Sequence, residues 1–357
     1  HYPNHGFVGD IFTVNGVAFP VLNVERRHYR FRFLGASLAR QYELSLRQGT
    51  LQPVRGSANN PVSGQGQWSF GSVDNRGRIT YSLGTQCMKM TQIASEGGLL
   101  PRPVLRDTIQ IWPAKRREMV FDFATYMDGS KTKPGDVVYL TNTAVMTDGR
   151  QQNGNLLQGG AFAVPMVKFI IGGLPAVADQ SDPGLTPVPA RVRNQAGGGT
   201  FNPNKVLRPR LTPPRIGIAD PKTAAMDFTL QRGGAAGETE WLINSLQFDP
   251  LNPLWAPTLG TFEEWGINNG GGGWTHPMHI HMEEHQVVYR TAPTLSDEGG
   301  GVPALEPLAK ADLVGLQPSE QSKIYRGFRT FLGNYVAHCH NLAHEDHNMM
   351  FGWSITL

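Results

Sequence analysis

The chain has 357 residues, with 42 glycines, 26 prolines and a formal net charge of +3 from 32 basic and 29 acidic side chains. This length predicts about two domains, each large enough to bury a core, and the balanced charge argues against nucleic acid or a membrane surface as a partner. No membrane span is predicted, because the best apolar candidate, 161–178, is interrupted by prolines, glycines and a lysine.

Strand-like runs separated by turn residues begin near the N-terminus and favour an all-β fold. The first run ends in Asn15-Gly16, a pair typical of tight turns. Further strands are predicted at 29–34, 42–46, 108–112, 118–123, 137–141 and 164–171. Residues 1–175 are therefore predicted to form one β domain.

A stretch rich in Pro, Gly, Asn and Ala follows, and its low periodicity predicts a linker over 176–212. Strand-like runs resume at 226–230, 241–244 and 261–268. No helix of convincing length and amphipathic period is found. Residues 213–357 are predicted to form a second β domain, so the expected architecture is two β-barrel or sandwich domains.

The chain has two cysteines, Cys87 and Cys339. If Cys339 binds a metal, Cys87 has no partner for a disulfide, and we expect it to be a small buried residue. The sequence opens on His1 without an initiator methionine or a signal peptide, so we expect a processed product.

The histidines are unevenly distributed, since eight of the 11 lie between His276 and His347. One short segment combines Cys339 with His344 and Met349. Two imidazoles, one thiolate and a weak axial thioether are the ligands of a blue-copper electron-transfer site. Two more histidines, His338 and His340, flank Cys339 and are surplus to such a site, which indicates a second metal.

Strand periodicity sorts the candidate ligands into two groups, because successive side chains point to opposite faces. On one face we expect Cys339 and His276, joined by His344 and Met349 from the loop that follows. Pro277 weakens the argument for the first strand. The histidines expected on the opposite face are His279, His281, His338 and His340.

The segments WTHPMHIH (274–281) and HCHNLAHEDHNMM (338–350) resemble the C-terminal copper signatures of the multicopper oxidases, in the bilirubin oxidase and spore-coat laccase branch. Residues 6–16, 92–101, 241–250 and 264–268 also resemble segments of this family. The resemblance implies two cupredoxin-like Greek-key domains that correspond to the family's second and third domains. It also implies an extracellular or periplasmic protein.

The resemblance assigns a role to each candidate ligand. Type 2 copper would be held by His279. Glu345 matches an acidic residue that delivers protons during oxygen reduction, although a solvated loop carboxylate is the alternative. Trp274 is a candidate for the substrate-facing edge, and packing beside the copper is equally compatible with its position. Type 1 copper would be held by His276, Cys339, His344 and Met349. The type 3 pair would be held by His281, His338 and His340.

The family's trinuclear copper cluster has eight histidine ligands, and this sequence supplies four. The other four come from two His-X-His pairs in the family's first domain, and no such pair occurs before His276. We therefore expect an N-terminal cupredoxin domain, on a separate or cleaved polypeptide, to complete the cluster.

The implied function is an oxidase that takes single electrons from a small reducing substrate and reduces O2 to water. Phenols, aryl amines, tetrapyrroles and metal ions such as Mn(II) are all compatible donors. A blue-copper electron carrier, a copper nitrite reductase and a subunit with vestigial motifs remain alternatives. Each leaves part of the ligand pattern unexplained. Glu283 and Glu284 are interpreted as a solvated strand end rather than as a Mn(II) site.

Overall fold

The fold is nearly all β in a computed structural model that describes residues 6–9, 11–54, 68–144, 146, 149–150, 163–181, 226–233, 240–270, 273–291 and 309–357. Within these ranges there are 24 strands and one short helix, α1 (Leu342–Asp346). None of the helical structure in them is long and apolar enough to cross a membrane. The prediction of an all-β fold is confirmed.

The N-terminal region, residues 6–181, contains β1 (Thr13–Val14), β2 (Val17–Ala18), β3 (Val21–Val24), β4 (His28–Leu34), β5 (Tyr42–Gln48), β6 (Leu51–Pro53), β7 (Trp68–Val73), β8 (Ile79–Ser82), β9 (Thr85–Met88), β10 (Met90–Ser95), β11 (Gly98–Arg106), β12 (Ile109–Ile111), β13 (Arg116–Asp122), β14 (Val137–Asn142) and β15 (Val164–Ile171). The C-terminal region, residues 226–357, contains β16 (Met226–Gly233), β17 (Glu240–Ile243), β18 (Phe262–Asn269), β19 (His276–Ile280), β20 (His285–Arg290), β21 (Leu313–Leu316), β22 (Gln321–Gly327), β23 (Gly333–Cys339), α1 and β24 (Met350–Ile355).

Two main sheets enclose the core of the N-terminal region. One has the order β11-β10-β13-β4, and the other has the order β12-β5-β14-β15-β3, with β9 also paired to β5. Alternation along β4 turns Phe31 inward, where its ring lies 4.7 Å from that of Phe121 and 5.8 Å from that of Phe169. Full burial of one such side chain stabilises the fold by roughly 1.5–3 kcal/mol.

The predicted turn at Asn15-Gly16 connects the hairpin of β1 and β2. Asn15 has a φ of 51° and Gly16 a φ of 79°, and Val14 pairs with Val17 across the turn. Two successive positive φ angles are typical of the tight hairpin turns that Asn-Gly favours.

The C-terminal region is a sandwich of two sheets, β17-β16-β18-β22-β20 and β21-β19-β23-β24. Strands of both sheets contribute to one apolar core, including Phe228, Ile324, Ala337 and Phe351. Cys339 belongs to the same buried cluster. The second sheet therefore presents one of its faces to the core, and this sheet carries both histidine motifs.

The strands predicted from alternation are found within three residues of their expected ends. Most of the predicted linker, from residue 182 onward, lies outside the described residues. The domain limits 1–175 and 213–357 stay a prediction, although the two large apolar cores fall on either side of that segment.

Candidate metal centres

The two histidine motifs lie on neighbouring antiparallel strands, β19 and β23. Met278 pairs with Cys339 and His279 pairs with His338. This register places two segments that are distant in the sequence side by side in one sheet. Because side chains alternate along each strand, the ligands divide between the two faces of the sheet.

The first cluster consists of His276, Cys339 and His344. The Cys339 sulfur lies 3.5 Å from Nδ1 of each histidine, and the two Nδ1 atoms are 3.2 Å apart. None of the three residues is more than 1% exposed. Two imidazole nitrogens and one sulfur thus form a nearly equilateral triangle in a dry core.

His344 lies on α1, and not on the loop that we expected from the sequence. The helix starts because the side chain of Asn341 accepts a hydrogen bond from the backbone N–H of Ala343, which caps its N-terminus. The same Asn341 side chain lies 3.1 Å from Nε2 of His344. The short helix therefore fixes the position of His344 relative to Cys339.

Met349 is completely buried and lies beside the first cluster. The backbone N–H of Cys339 donates to its carbonyl at 3.0 Å, and its own N–H donates to the carbonyl of His344 at 3.0 Å. Asn348 turns the chain into this position with a φ of 66°, a conformation that Asn tolerates better than most residues.

Two tryptophans enclose the first cluster. The Trp241 ring stacks on His344 with a centroid separation of 3.7 Å, and its centroid is 5.6 Å from that of His276. Trp274 packs edge-on against Trp241 at 5.5 Å. It is 1% exposed, and the guanidinium groups of Arg150 and Arg232 lie over its ring. In this chain Trp274 packs beside the cluster, and its role at a substrate-facing edge stays a prediction.

The second cluster lies on the opposite side of the sheet and is more open. One ring nitrogen from each of His279, His281 and His338 lies within 4.8 Å of the others, and Nε2 of His281 is 3.2 Å from Nε2 of His338. The His340 ring centroid is 5.4 Å from that of His338 and 6.0 Å from that of His279. His281 is exposed, whereas His338 is buried, so the cluster is open to solvent at His281.

Glu345, the residue after His344, reaches towards the second cluster. Its Oε2 atom lies 3.2 Å from Nδ1 of His338, although the angle does not make a hydrogen bond and that oxygen has no partner among the described residues. Burial, followed by the charge of Asp346, raises the pKa of the Glu345 carboxyl. Its contribution to proton delivery stays a prediction.

Comparison with known proteins supports what this geometry indicates. Residues 220–356 match the sequence model of the multicopper oxidase family. The chain is 29% identical to bilirubin oxidase from Albifimbria verrucaria, over 99% of this chain and 49% of that protein. It is 27% identical to laccase from Bacillus subtilis, over 98% of this chain and 55% of that protein. Residues 220–356 therefore form a multicopper oxidase domain.

Solved structures show the same fold. The McoA multicopper oxidase from Aquifex aeolicus superposes with a TM-score of 0.66 at 22% identity, over 99% of this chain and 61% of that one. The two sandwiches are therefore of the cupredoxin type. The chain spans about half the length of the curated relatives that it matches.

The side chains of the first cluster fit copper. Burial lowers the pKa of His276 to about 3 and raises the pKa of the Cys339 thiol above its usual range. The His276 imidazole is therefore neutral, and only a bound cation makes a thiolate favourable in such surroundings. A His2Cys triangle with an adjacent Met is the donor set of type 1 copper. Multicopper oxidases use type 1, type 2 and type 3 copper.

The histidines of the second cluster fit a metal for a related reason. Burial, followed by the charge of His279, lowers the pKa of His338 to about 4, and burial also lowers the pKa values of His281 and His340. Their ring nitrogens are therefore available as neutral donors near pH 7. Nδ1 of His340 is buried without a hydrogen-bond partner among the described residues.

Several neighbours of the clusters were not found by sequence reasoning. Trp241 stacks on His344, and Asp312 accepts a hydrogen bond from His279 although it lies 33 residues away. No spacing rule links either residue to the motifs. The interpretation of Glu283 as a solvated strand end is wrong. Glu283 is 5% exposed, because Arg329 covers it and donates hydrogen bonds of 2.6 and 3.1 Å to its Oε2 atom.

Proposed function

We propose that this chain carries the type 1 site and half of the trinuclear site of a laccase-type or bilirubin-oxidase-type enzyme. Type 2 copper would be held by His279. The proposed type 1 ligands are His276, Cys339, His344 and Met349. The proposed type 3 ligands are His281, His338 and His340.

The observation that carries this proposal is the direct covalent link between the two clusters. Cys339 belongs to the first cluster, and His338, its neighbour in the chain, belongs to the second. Nδ1 of His338 also lies 3.3 Å from the carbonyl oxygen of Cys339. A blue-copper carrier requires the first cluster alone, so the second cluster favours an oxidase.

When bound, copper would accept single electrons from a donor at the first cluster and pass four of them to O2 at the second. The protein's own contribution is mainly positional. Trp241 and Trp274 exclude water from the first cluster and hold the ring of His344. Glu345 places its Oε2 atom 3.2 Å from Nδ1 of His338, where the carboxyl could transfer a proton.

We also propose that the remaining trinuclear ligands come from an N-terminal cupredoxin domain with two His-X-His pairs, on the same or on a separate polypeptide. The exposure of His281, where the second cluster is open to solvent, supports this. The share of the relatives' length that this chain covers also supports it.

The proposed donors are small reducing molecules: phenols, aryl amines or tetrapyrroles. Bilirubin oxidase and laccase, the printed names of two relatives, motivate this choice. By the same family resemblance we propose an extracellular or periplasmic location. Fractionation of the source cells with an antibody to this chain tests the location, and recovery in the cytosol alone would contradict it.

Metal analysis and oxygen-uptake measurements on the purified native protein test the proposed function. We expect an intense blue colour, oxygen uptake with a phenolic or aryl-amine donor, and a copurifying segment with two His-X-His pairs. A blue protein that takes up no oxygen with any such donor would indicate a simple electron carrier. A full complement of four copper ions on residues 1–357 alone would exclude the need for an additional domain.

A further inference from the structure

The N-terminal region contacts the C-terminal region along a short segment next to the second cluster. The backbone N–H of Gly97 and the hydroxyl of Ser95 both donate to the carbonyl of Lys310, at 2.8 and 2.7 Å. Lys115 donates from Nζ to the carbonyl of Leu313 at 3.1 Å. A Cβ atom on Gly97 would lie 2.4 Å from Cβ of Lys310, so the two regions are in close contact here.

Arg116 lies at the centre of this contact and binds Asp312 with both ends of its guanidinium group. Nη1 donates to Oδ1 of Asp312 at 2.9 Å, and Nη2 donates to Oδ2. Nη1 also donates to the carbonyl of Ala114 at 2.9 Å, and the backbone N–H of Arg116 donates to Glu96 at 3.3 Å. The arginine is therefore fixed at its backbone and at its guanidinium group. The two parallel hydrogen bonds to Asp312 specify the orientation of the two side chains.

Asp312 in turn holds His279 of the second cluster. Its backbone carbonyl accepts hydrogen bonds from Nδ1 of His279 at 2.8 Å and from the N–H of Ile280 at 2.9 Å. Its carboxylate oxygen Oδ1 lies 3.5 Å from the same Nδ1. Because Nδ1 is the donor, Nε2 is the nitrogen left with a free lone pair for the cluster.

We propose that Arg116 is a positioning residue for the second cluster. By clamping the Asp312 carboxylate, it would hold Asp312 in the position from which its backbone carbonyl fixes the tautomer and the ring orientation of His279. The N-terminal region would then set the geometry of one ligand of a metal site to which its described residues contribute no ligand. This inference rests on the proposed function of the second cluster.

The physical basis is the effect of outer hydrogen-bond partners on metal-binding histidines. Such partners fix the ring orientation, and their loss commonly weakens metal binding about 10- to 100-fold. Arg116 and Asp312 are neither at the first cluster nor in contact with its three ligands. A change at Arg116 should therefore weaken copper binding at the second cluster alone, whereas a general loss of structure would weaken copper binding at both clusters.

The test compares Arg116→Gln with wild type and with Arg30→Gln, a control that removes the exposed ion pair between Arg30 and Glu118. Copper binding to the metal-free full chain is titrated, with blue absorption reporting the first cluster and total bound copper reporting the second. We expect Arg116→Gln to weaken copper binding at the second cluster about 10- to 100-fold. Its blue absorption and its melting temperature should equal those of the Arg30→Gln control.

Three further measurements exclude a purely structural effect. Arg116→Lys should recover part of the affinity, because it keeps the charge while losing the paired hydrogen bonds. The double variant Arg116→Gln with Asp312→Asn should be no weaker than either single variant, since both remove one shared interaction. In the metal-free chain, the 15N shifts of His279 should show a loss of the Nδ1–H form in Arg116→Gln and not in Arg30→Gln.

The outcomes distinguish the inference from the proposed function. If wild type binds second-cluster copper, and Arg116→Gln matches it in affinity and in the His279 shifts, Arg116 has no positioning role. An equal loss at both clusters would also overturn the inference. If wild type itself binds no copper at the second cluster, the proposed function fails and the inference fails with it.

Discussion

The two candidate metal clusters share one sheet but differ in burial. The first cluster has all of its donors at 0–1% exposure, with tryptophans covering two imidazoles. The second cluster has one exposed histidine and lies on the opposite side of the sheet. Full burial excludes water and further ligands from the first cluster. The second remains accessible, and accessibility is what a site completed by another domain requires.

Replacement of the one thiol in the first cluster should have the largest effect. Cys339→Ser should abolish the blue colour and copper binding at the first cluster, because the thiolate is the ligand that defines such a site. The second cluster should still take up copper. Absorption spectra and metal analysis provide the measurement.

Cys87→Ser is the matched control, since Cys87 is also buried and free and lies in the core of the N-terminal region. It should keep the blue colour. Blue absorption that survives in Cys339→Ser would contradict the assignment of the first cluster.

The converse change addresses the second cluster. His281→Gln removes an exposed ligand and should weaken copper binding there by more than the roughly 100-fold that loss of an outer partner can cause. The blue absorption of the first cluster should be unchanged. Equilibrium dialysis against a chelator measures the loss, and His28→Gln in the N-terminal region serves as control. Equal copper retention in His281→Gln and wild type would show that this histidine is not a ligand.

Acid stability should depend on His285, a buried histidine on strand β20 of the C-terminal region. Both ring nitrogens of His285 are buried without a hydrogen-bond partner among the described residues, and burial, followed by the charge of Arg326, lowers its pKa to about 3. The unfolded value is about 6.5. Between these values the unfolded chain binds more protons, so stability is fully present above pH 6.5 and decreases as the pH falls towards 3.

His285→Leu should remove a contribution on the order of 5 kcal/mol to this pH dependence. Urea unfolding of the metal-free chain at several pH values measures the change, and His347→Gln is the control. The same pH slope for His285→Leu and wild type would show that His285 does not titrate on unfolding.

Replacement of Trp241, which stacks on His344, should have the smallest effect. Trp241→Phe keeps an aromatic ring against His344 but leaves a cavity, and should lower the free energy of unfolding by about 2 kcal/mol. It should also shift the blue absorption, because His344 is held less firmly. Trp68→Phe, at a site 45% exposed, should change stability by less than about 0.5 kcal/mol. An unshifted spectrum would show that Trp241 does not position His344.

The division into two clusters could be predicted from the sequence because strand alternation depends only on local backbone geometry. Opposite parity separates His276 from His279 along β19, and Cys339 from His338 along β23. Strand alternation also allowed several of the strands to be predicted from the sequence. The short helix that carries His344 was missed, although Asn341 is a residue that commonly caps helices.

Other parts of the site depend on contacts between distant segments. The stacking of Trp241 on His344 requires β17 to pack against α1, and no periodicity reports such packing. The link from Arg116 through Asp312 to His279 requires the two regions of the chain to meet. Side-chain contacts of this kind follow from tertiary packing, which a single sequence does not specify locally.

The central claim is that the first cluster is complete in this chain and the second is not. A copper titration of the metal-free chain, followed by chelator challenge, tests it most directly. We predict one copper ion that produces the blue colour and resists the chelator, with additional copper that the chelator removes. Retention of four copper ions by residues 1–357, or tight binding without blue colour, would contradict the account.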